Sequence, residues 1–78
     1  MNQQYETITV MRHSVREGEN EIGSFLLTKL TDDKGREFMS FDKLGWNIKD
    51  GKHYKIGFKV LNNGSLRFSQ LEEINHDI

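Results

Sequence analysis

Polar and apolar positions alternate along this chain in short runs with a period of two, and turns carrying glycine or asparagine separate the runs. The cleanest run is residues 52–61. There Tyr54, Ile56, Phe58 and Val60 alternate with His53, Lys55, Gly57 and Lys59, as in a strand with one face buried. Asn62-Asn63-Gly64 follows, and Asn-Gly between two such runs is a strong hairpin signal. Residues 65–71 form the next expected strand, with Leu66 and Phe68 inward and Arg67 and Ser69 outward. Near the start, residues 5–15 are predicted as a strand rich in β-branched side chains, with Ile8 and Val10 on one side and Thr7, Thr9 and Met11 on the other. Residues 16–20, Arg-Glu-Gly-Glu-Asn, read as a charged loop.

Residues 21–31 are the second expected strand. Alternation weakens over residues 22–27, which suggests partial burial of both faces, and Gly23 would mark a bulge or a bend at a barrel corner. Gly23 and Thr28 oppose a helix over residues 19–31. Asp32-Asp33-Lys34-Gly35 is a turn with glycine placed for a positive φ, and residues 36–41 form strand three. A short helical turn is expected within residues 42–50. Asp42 could cap it, and Leu44 and Ile48 are four apart, although Gly45 and Asn47 weaken the pattern. The polar residues 72–78 are expected to fray.

Five short strands, with punctuation and no repeat, define an all-β chain of one domain over residues 1–78, its core within about residues 5–74. The expected architecture is a small five-stranded Greek-key barrel, with an SH3-like barrel as the alternative. A chain of 78 residues buries only about 60% of its unfolded surface, so its margin of stability is small. Cysteine is absent, which removes disulfides, thiolate zinc sites and a thiol nucleophile. Residues 1–5 show no basic stretch leading into an apolar run, so no signal peptide is expected. The longest apolar run, Phe25-Leu26-Leu27, is far too short for a bilayer, and a cytoplasmic protein with no membrane association is the expectation.

Residues 27–38, Leu-Thr-Lys-Leu-Thr-Asp-Asp-Lys-Gly-Arg-Glu-Phe, resemble the strand–turn–strand of anticodon-binding-type OB-fold domains: an inward leucine, an acid, a turn glycine, then an apolar residue. Phe41, followed by residues 49–56, resembles the passage into strand four of the same family. The resemblance covers roughly residues 7–74. It implies a barrel that binds oligonucleotides or oligosaccharides. The chain lacks the aromatic- and glycine-rich motif of cold-shock domains.

Charge narrows the ligand. Eleven basic residues against twelve acidic give a net charge of −1, so bulk charge does not draw this chain to nucleic acid and any such binding needs local segregation of charge. Lys55, Lys59 and Arg67 should share the outer face of the last two strands, and Lys29 and Arg36 join them if register permits. Such a stripe suits a phosphate backbone. A solvated sheet face would carry the same lysines. For stacking bases the candidates are Phe38 and Trp46, with Tyr54 and Phe25 behind them. Phe38 and Phe41 fall on opposite faces by simple alternation, so one of the two should be exposed. Trp46, in a Gly-Trp-Asn connection, is either a barrel-end plug or a stacking anchor.

His13, His53 and His76 have no ligand spacing, so no metal or other cofactor is expected. Asp32-Asp33 and Glu72-Glu73 are more simply turn and surface charge than an acid–base pair, and no phosphate loop or nucleophile elbow is present. No enzyme is expected. The leading expectation is a binder of single-stranded nucleic acid, DNA rather than RNA, with low sequence specificity, of a kind that would suit DNA replication in a phage or mobile element. Glu17, Glu19 and Glu21 count against it, because acids beside a groove repel phosphate. They suit instead a protein-interaction module, a small inhibitor or assembly subunit that uses a strand edge or the acidic first loop and forms a homo-oligomer or holds a protein partner.

Overall fold

The computed structural model describes residues 3–42 and 46–74. Five strands carry the fold: β1 (Gln4–Asn20), β2 (Gly23–Asp32), β3 (Glu37–Asp42), β4 (His53–Val60) and β5 (Leu66–Glu73). They close a barrel in the order β1-β2-β3-β5-β4, with β4 pairing back onto β1. All neighbours are antiparallel except β3 and β5, which run parallel through Phe38↔Leu66 and Met39↔Arg67. The chain is therefore a small closed five-stranded barrel, as the alternation predicts, with the Greek-key strand order that the family resemblance implies.

The long β1 makes closure possible. Residues Gln4 to Thr9 pair with β4, and Val10 to Asn20 pair with β2. Met11 is the extra residue between the pairs Val10↔Asp32 and Arg12↔Thr31. A bulge there bends the strand as it passes from one neighbour to the other. A second bulge, at Ser69 between the pairs Phe58↔Phe68 and Gly57↔Gln70, turns Leu71 inward opposite Ile56. The core is the inward set of every strand: Ile8, Val10, Leu30, Phe38, Tyr54, Ile56, Phe58 and Phe68, with Ile48 from the β3–β4 connection. Phe38 and Phe58 meet edge to face at 5.1 Å between ring centres. Tyr54 turns its hydroxyl to the connection and accepts the Lys49 amide at 2.8 Å.

Four expectations need correction. Residues 16–20 are strand, not loop: β1 and β2 stay paired as far as Asn20↔Gly23, beyond Leu26↔Asp42, the last pair of β2 with β3 among the described residues. Gly23 is no mid-strand bulge. It ends the two-residue turn at the tip of this arm with a φ of +143°, where a side chain would be strained. Residues 46–49 are irregular, so the short helical turn is not formed there, and residues 43–45 of that expectation lie outside the described residues. Packing of Ile48 and Trp46 onto the core replaces helical hydrogen bonds as the reason this connection holds its path. Of the expected frayed tail, Glu72 and Glu73 belong to β5, and residues 75–78 lie outside the described residues.

Candidate nucleic-acid interface

Register places the outward residues of β1, β2 and β3 in rows. Arg12, Thr31 and Glu37 form one row, Ser14, Lys29 and Met39 the next, and Arg16, Leu27 and Phe41 the third, with Gly18 and Phe25 beyond. Inward neighbours Thr28, Leu30, Phe38 and Ser40 are buried, which fixes the facing of the whole set. Arg67 of β5 lies beside Met39 and across from Lys59. This outer face thus combines an apolar centre (Phe25, Leu27, Met39, Phe41) with arginines and lysines around it. Among the described residues no ion pair engages Arg12, Arg16, Lys29, Lys59 or Arg67.

Phe41 is the centre of the face. It is 44% exposed, whereas Phe38 on the same strand is wholly buried. Phe25 stands edge-on to it at 5.7 Å and 63°. The Arg67 guanidinium lies 5.1 Å from the Phe41 ring centre, as a cation over a π face. Phe25 is seated by a missing side chain, since a Cβ on its cross-strand partner Gly18 would stand 2.4 Å from Phe25 Cζ. The ring therefore lies down over the Gly18 backbone, and Gly18 shapes the platform.

Two grooves flank Phe41. One, of about 730 Å³, runs between the arm (Asn20, Ile22, Gly23, Ser24, Phe25) and Phe41, Asp42 and Arg67. The other, of about 460 Å³, lies beside Ser40, Phe41, Trp46, Lys59, Leu61, Arg67 and Phe68. Trp46 forms part of its wall and packs on Phe68 at 5.4 Å between ring centres, so the tryptophan serves the barrel core as well as the groove. Its Nε1 is buried with no hydrogen-bond partner among the described residues, which makes it a donor in want of an acceptor.

Three of the seven residues singled out by sequence, Trp46, Lys59 and Arg67, line the groove beside Phe41, and a fourth, Lys29, lies on the same face one row away, beside Met39. The other three do not. Phe38 is a core ring with no exposed surface, because its alternation puts it opposite Leu30 inside the barrel. Arg36 is consumed by carboxylates: its Nε donates to Asp32 Oδ2 at 2.8 Å, and its two terminal nitrogens donate to Glu6 at 3.2 and 2.9 Å. That contact holds the Glu6 carboxyl below its ordinary range, chiefly through the hydrogen bond from Arg36, and raises Arg36 further. Lys55 sits over the Tyr5 ring at 5.6 Å and across from Glu72, and lines neither groove. Sequence reasoning did not single out Phe41, Arg12 or Arg16 for this face. The alternation of Phe38 and Phe41 contained the first, but the facing of Arg12 depends on the bulge at Met11, and Arg16 depends on the arm being strand.

Among the described residues no group of three His, Asp or Glu side chains could hold a metal ion, and no helix is long and apolar enough to cross a membrane. Fold and face together define a small closed Greek-key barrel with an aromatic, cation-rimmed outer surface. No family model, no curated protein and no solved structure matches the chain.

Proposed function

We propose that this barrel binds single-stranded nucleic acid, DNA in the first instance, across the outer face of β1, β2 and β3 with little sequence preference. The observation that carries the reading is the half-exposed Phe41 ring, flanked by Phe25 and Arg67, among cations that form no ion pair with the described residues. Every base has a π face, so an exposed ring accepts any of them at about 1–3 kcal/mol per stacked base. Arg16 on β1 and Arg67 on β5 stand on opposite sides of the Leu27–Phe41 row, placed to take phosphates on either side of a stacked base. A net charge of −1 does not oppose this, because what matters to a backbone is the local field. Nothing in the site calls for chemistry on the ligand, and binding alone is the activity proposed.

The test is fluorescence anisotropy of a labelled mixed-sequence 20-mer, as DNA and as RNA, titrated at low and moderate salt with Trp46 emission followed in parallel. Binding that weakens steeply with salt and is lost in a Phe41→Ala, Arg67→Glu double variant is the expected result. Binding that survives intact in that folded variant rules out this face, and no binding at low salt rules out the function.

A further inference from the structure

The arm ends in a tip of definite chemistry. Asn20 Oδ1 accepts the Ile22 amide at 2.9 Å and the Gly23 amide at 3.1 Å, so the turn is fixed by a side-chain cap. It presents Ile22 with 93% of its surface exposed. Around it Glu17, Glu19 and Glu21 are exposed, and no ion pair engages them among the described residues. A β-branched apolar knob amid three carboxylates has no role in the barrel's own packing.

The complementary chemistry lies in the second groove, where Lys59 and Arg67 outnumber the one carboxylate, Asp42, and Trp46, Leu61 and Phe68 supply apolar wall. The arm's ladder is continuous to Asn20↔Gly23 and holds the tip at the rim of the first groove, which leaves the second open to a neighbour. We infer that the arm tip of one copy docks in the Lys59–Arg67–Trp46 groove of a second copy, with Ile22 against the apolar wall and Glu19 and Glu21 meeting the two cations.

Tip and groove are different surfaces, so the contact either closes reciprocally in a two-fold dimer or propagates heterologously into short chains or a ring. One turn buries little area, well under the roughly 1,200 Å² of a stable specific interface, so association is weak and reversible. It is salt-sensitive, because its specificity is carried by exposed charge. Arg67 belongs also to the nucleic-acid face, and where that reading holds, a bound strand and a docked tip exclude one another.

Sedimentation velocity of the full chain, from about 5 to about 500 µM at low salt, spans the weak-interface range. The expected mass rises with concentration and returns to one protomer in moderate salt. Ile22→Ser lowers the association at least tenfold. Glu19→Lys with Glu21→Lys abolishes it, and so does Lys59→Glu with Arg67→Glu, each variant folded by circular dichroism. Mixing the two charge-reversed variants restores association, because the native acidic tip of one then meets the native groove of the other, and the basic tip meets the acidic groove. A wild-type chain that remains monomeric throughout overturns the inference, as does association that these variants leave unchanged. Strand binding by a chain that never associates removes this inference and leaves the proposed function standing. Association without strand binding does the reverse. Where both occur, excess 12-mer strand returns the mass to one protomer with its strand, and failure to do so overturns the shared use of Arg67.

Discussion

The two ends of β2 use charge in opposite ways. At its C-terminal end, the Asp32 carboxylate is buried and accepts the amides of Lys34 and Arg36 and the Nε of Arg36 at 2.8–3.1 Å. Arg36 then reaches Glu6 on β1, so one network ties the β2–β3 turn to a third strand. At the N-terminal end the arm carries Arg16, Glu17, Glu19 and Glu21, all exposed and none in an ion pair among the described residues. Charge density is similar; what differs is burial. Where the carboxylate is desolvated it must be satisfied, and satisfying it locks the turn. Where charge stays in water it costs the fold nothing and remains available to a ligand or a partner. The locked end ties the barrel together, and the open end carries charge that the fold leaves unpaired among the described residues.

The largest effect should come from breaking the locked end. Asp32→Ala orphans two backbone amides and leaves Arg36 with one carboxylate fewer in a confined place. Loss of a buried charged acceptor of this kind costs about 3 kcal/mol. That is a large part of the stability of so small a domain. Urea unfolding should show the midpoint fall with the slope unchanged; a shift within error would mean that the turn holds itself without the carboxylate.

Changes at the open end should spare stability and reach binding. Phe41→Ala removes a half-exposed ring and is expected to weaken single-strand affinity about 5- to 150-fold, the worth of one stacked base, while the unfolding midpoint stays in place. Arg16→Ala and Lys29→Ala should each weaken binding less. Each should also lower the slope of log affinity against log salt by about 0.7, as expected when one phosphate fewer is neutralised on a single strand. A change in affinity with the slope intact would make these residues packing neighbours and not phosphate ligands.

The barrel was legible because period-two alternation reports burial directly. Residues 52–61 announced β4, and Asn63-Gly64 announced the hairpin to β5. The arm was not legible, because residues 16–20 are charged on both faces and read as solvent-facing loop. Their pairing is satisfied by β2 alone and leaves no apolar signature. The site divided in the same way. Lys59 and Arg67 followed from strand parity. Arg36 failed because parity gives a side chain's facing but not its neighbours: Glu6 is 30 residues away in sequence and reaches Arg36 only once the barrel closes. Phe38 and Phe41 could not be assigned to inside and outside until the pair Leu30↔Phe38 set the register.

A finer test of the platform lies at Gly18. Gly18→Val puts a side chain where the Phe25 ring rests and pushes that ring away from Phe41. Valine suits a strand better than glycine does. Stability should therefore hold or rise slightly while single-strand affinity falls, by less than in Phe41→Ala. An affinity equal to wild type would mean that Phe25 has no part in the platform.

The smallest effect belongs to pH at the locked end. Arg36 holds the Glu6 carboxyl below its ordinary range, first by their hydrogen bonds and then by charge. A carboxylate whose folded pKa is depressed contributes stability that is fully present above its unfolded pKa, near 4.3 for glutamate, and that is lost as pH falls through the lower folded value. Wild type should therefore lose stability on acidification below about pH 4.3. Glu6→Gln, which cannot ionise, should lose less over the same interval and should match wild type most closely at its acid end. Both carboxylate oxygens of Glu6 lie near the surface, so water screens the contact and the gap between the two curves stays small. Arg36 adds no step of its own, since its raised value lies beyond any pH at which the fold is tested. Parallel curves for wild type and Glu6→Gln would mean that the Asp32 contact alone secures Arg36, and that the reach to β1 adds geometry without energy.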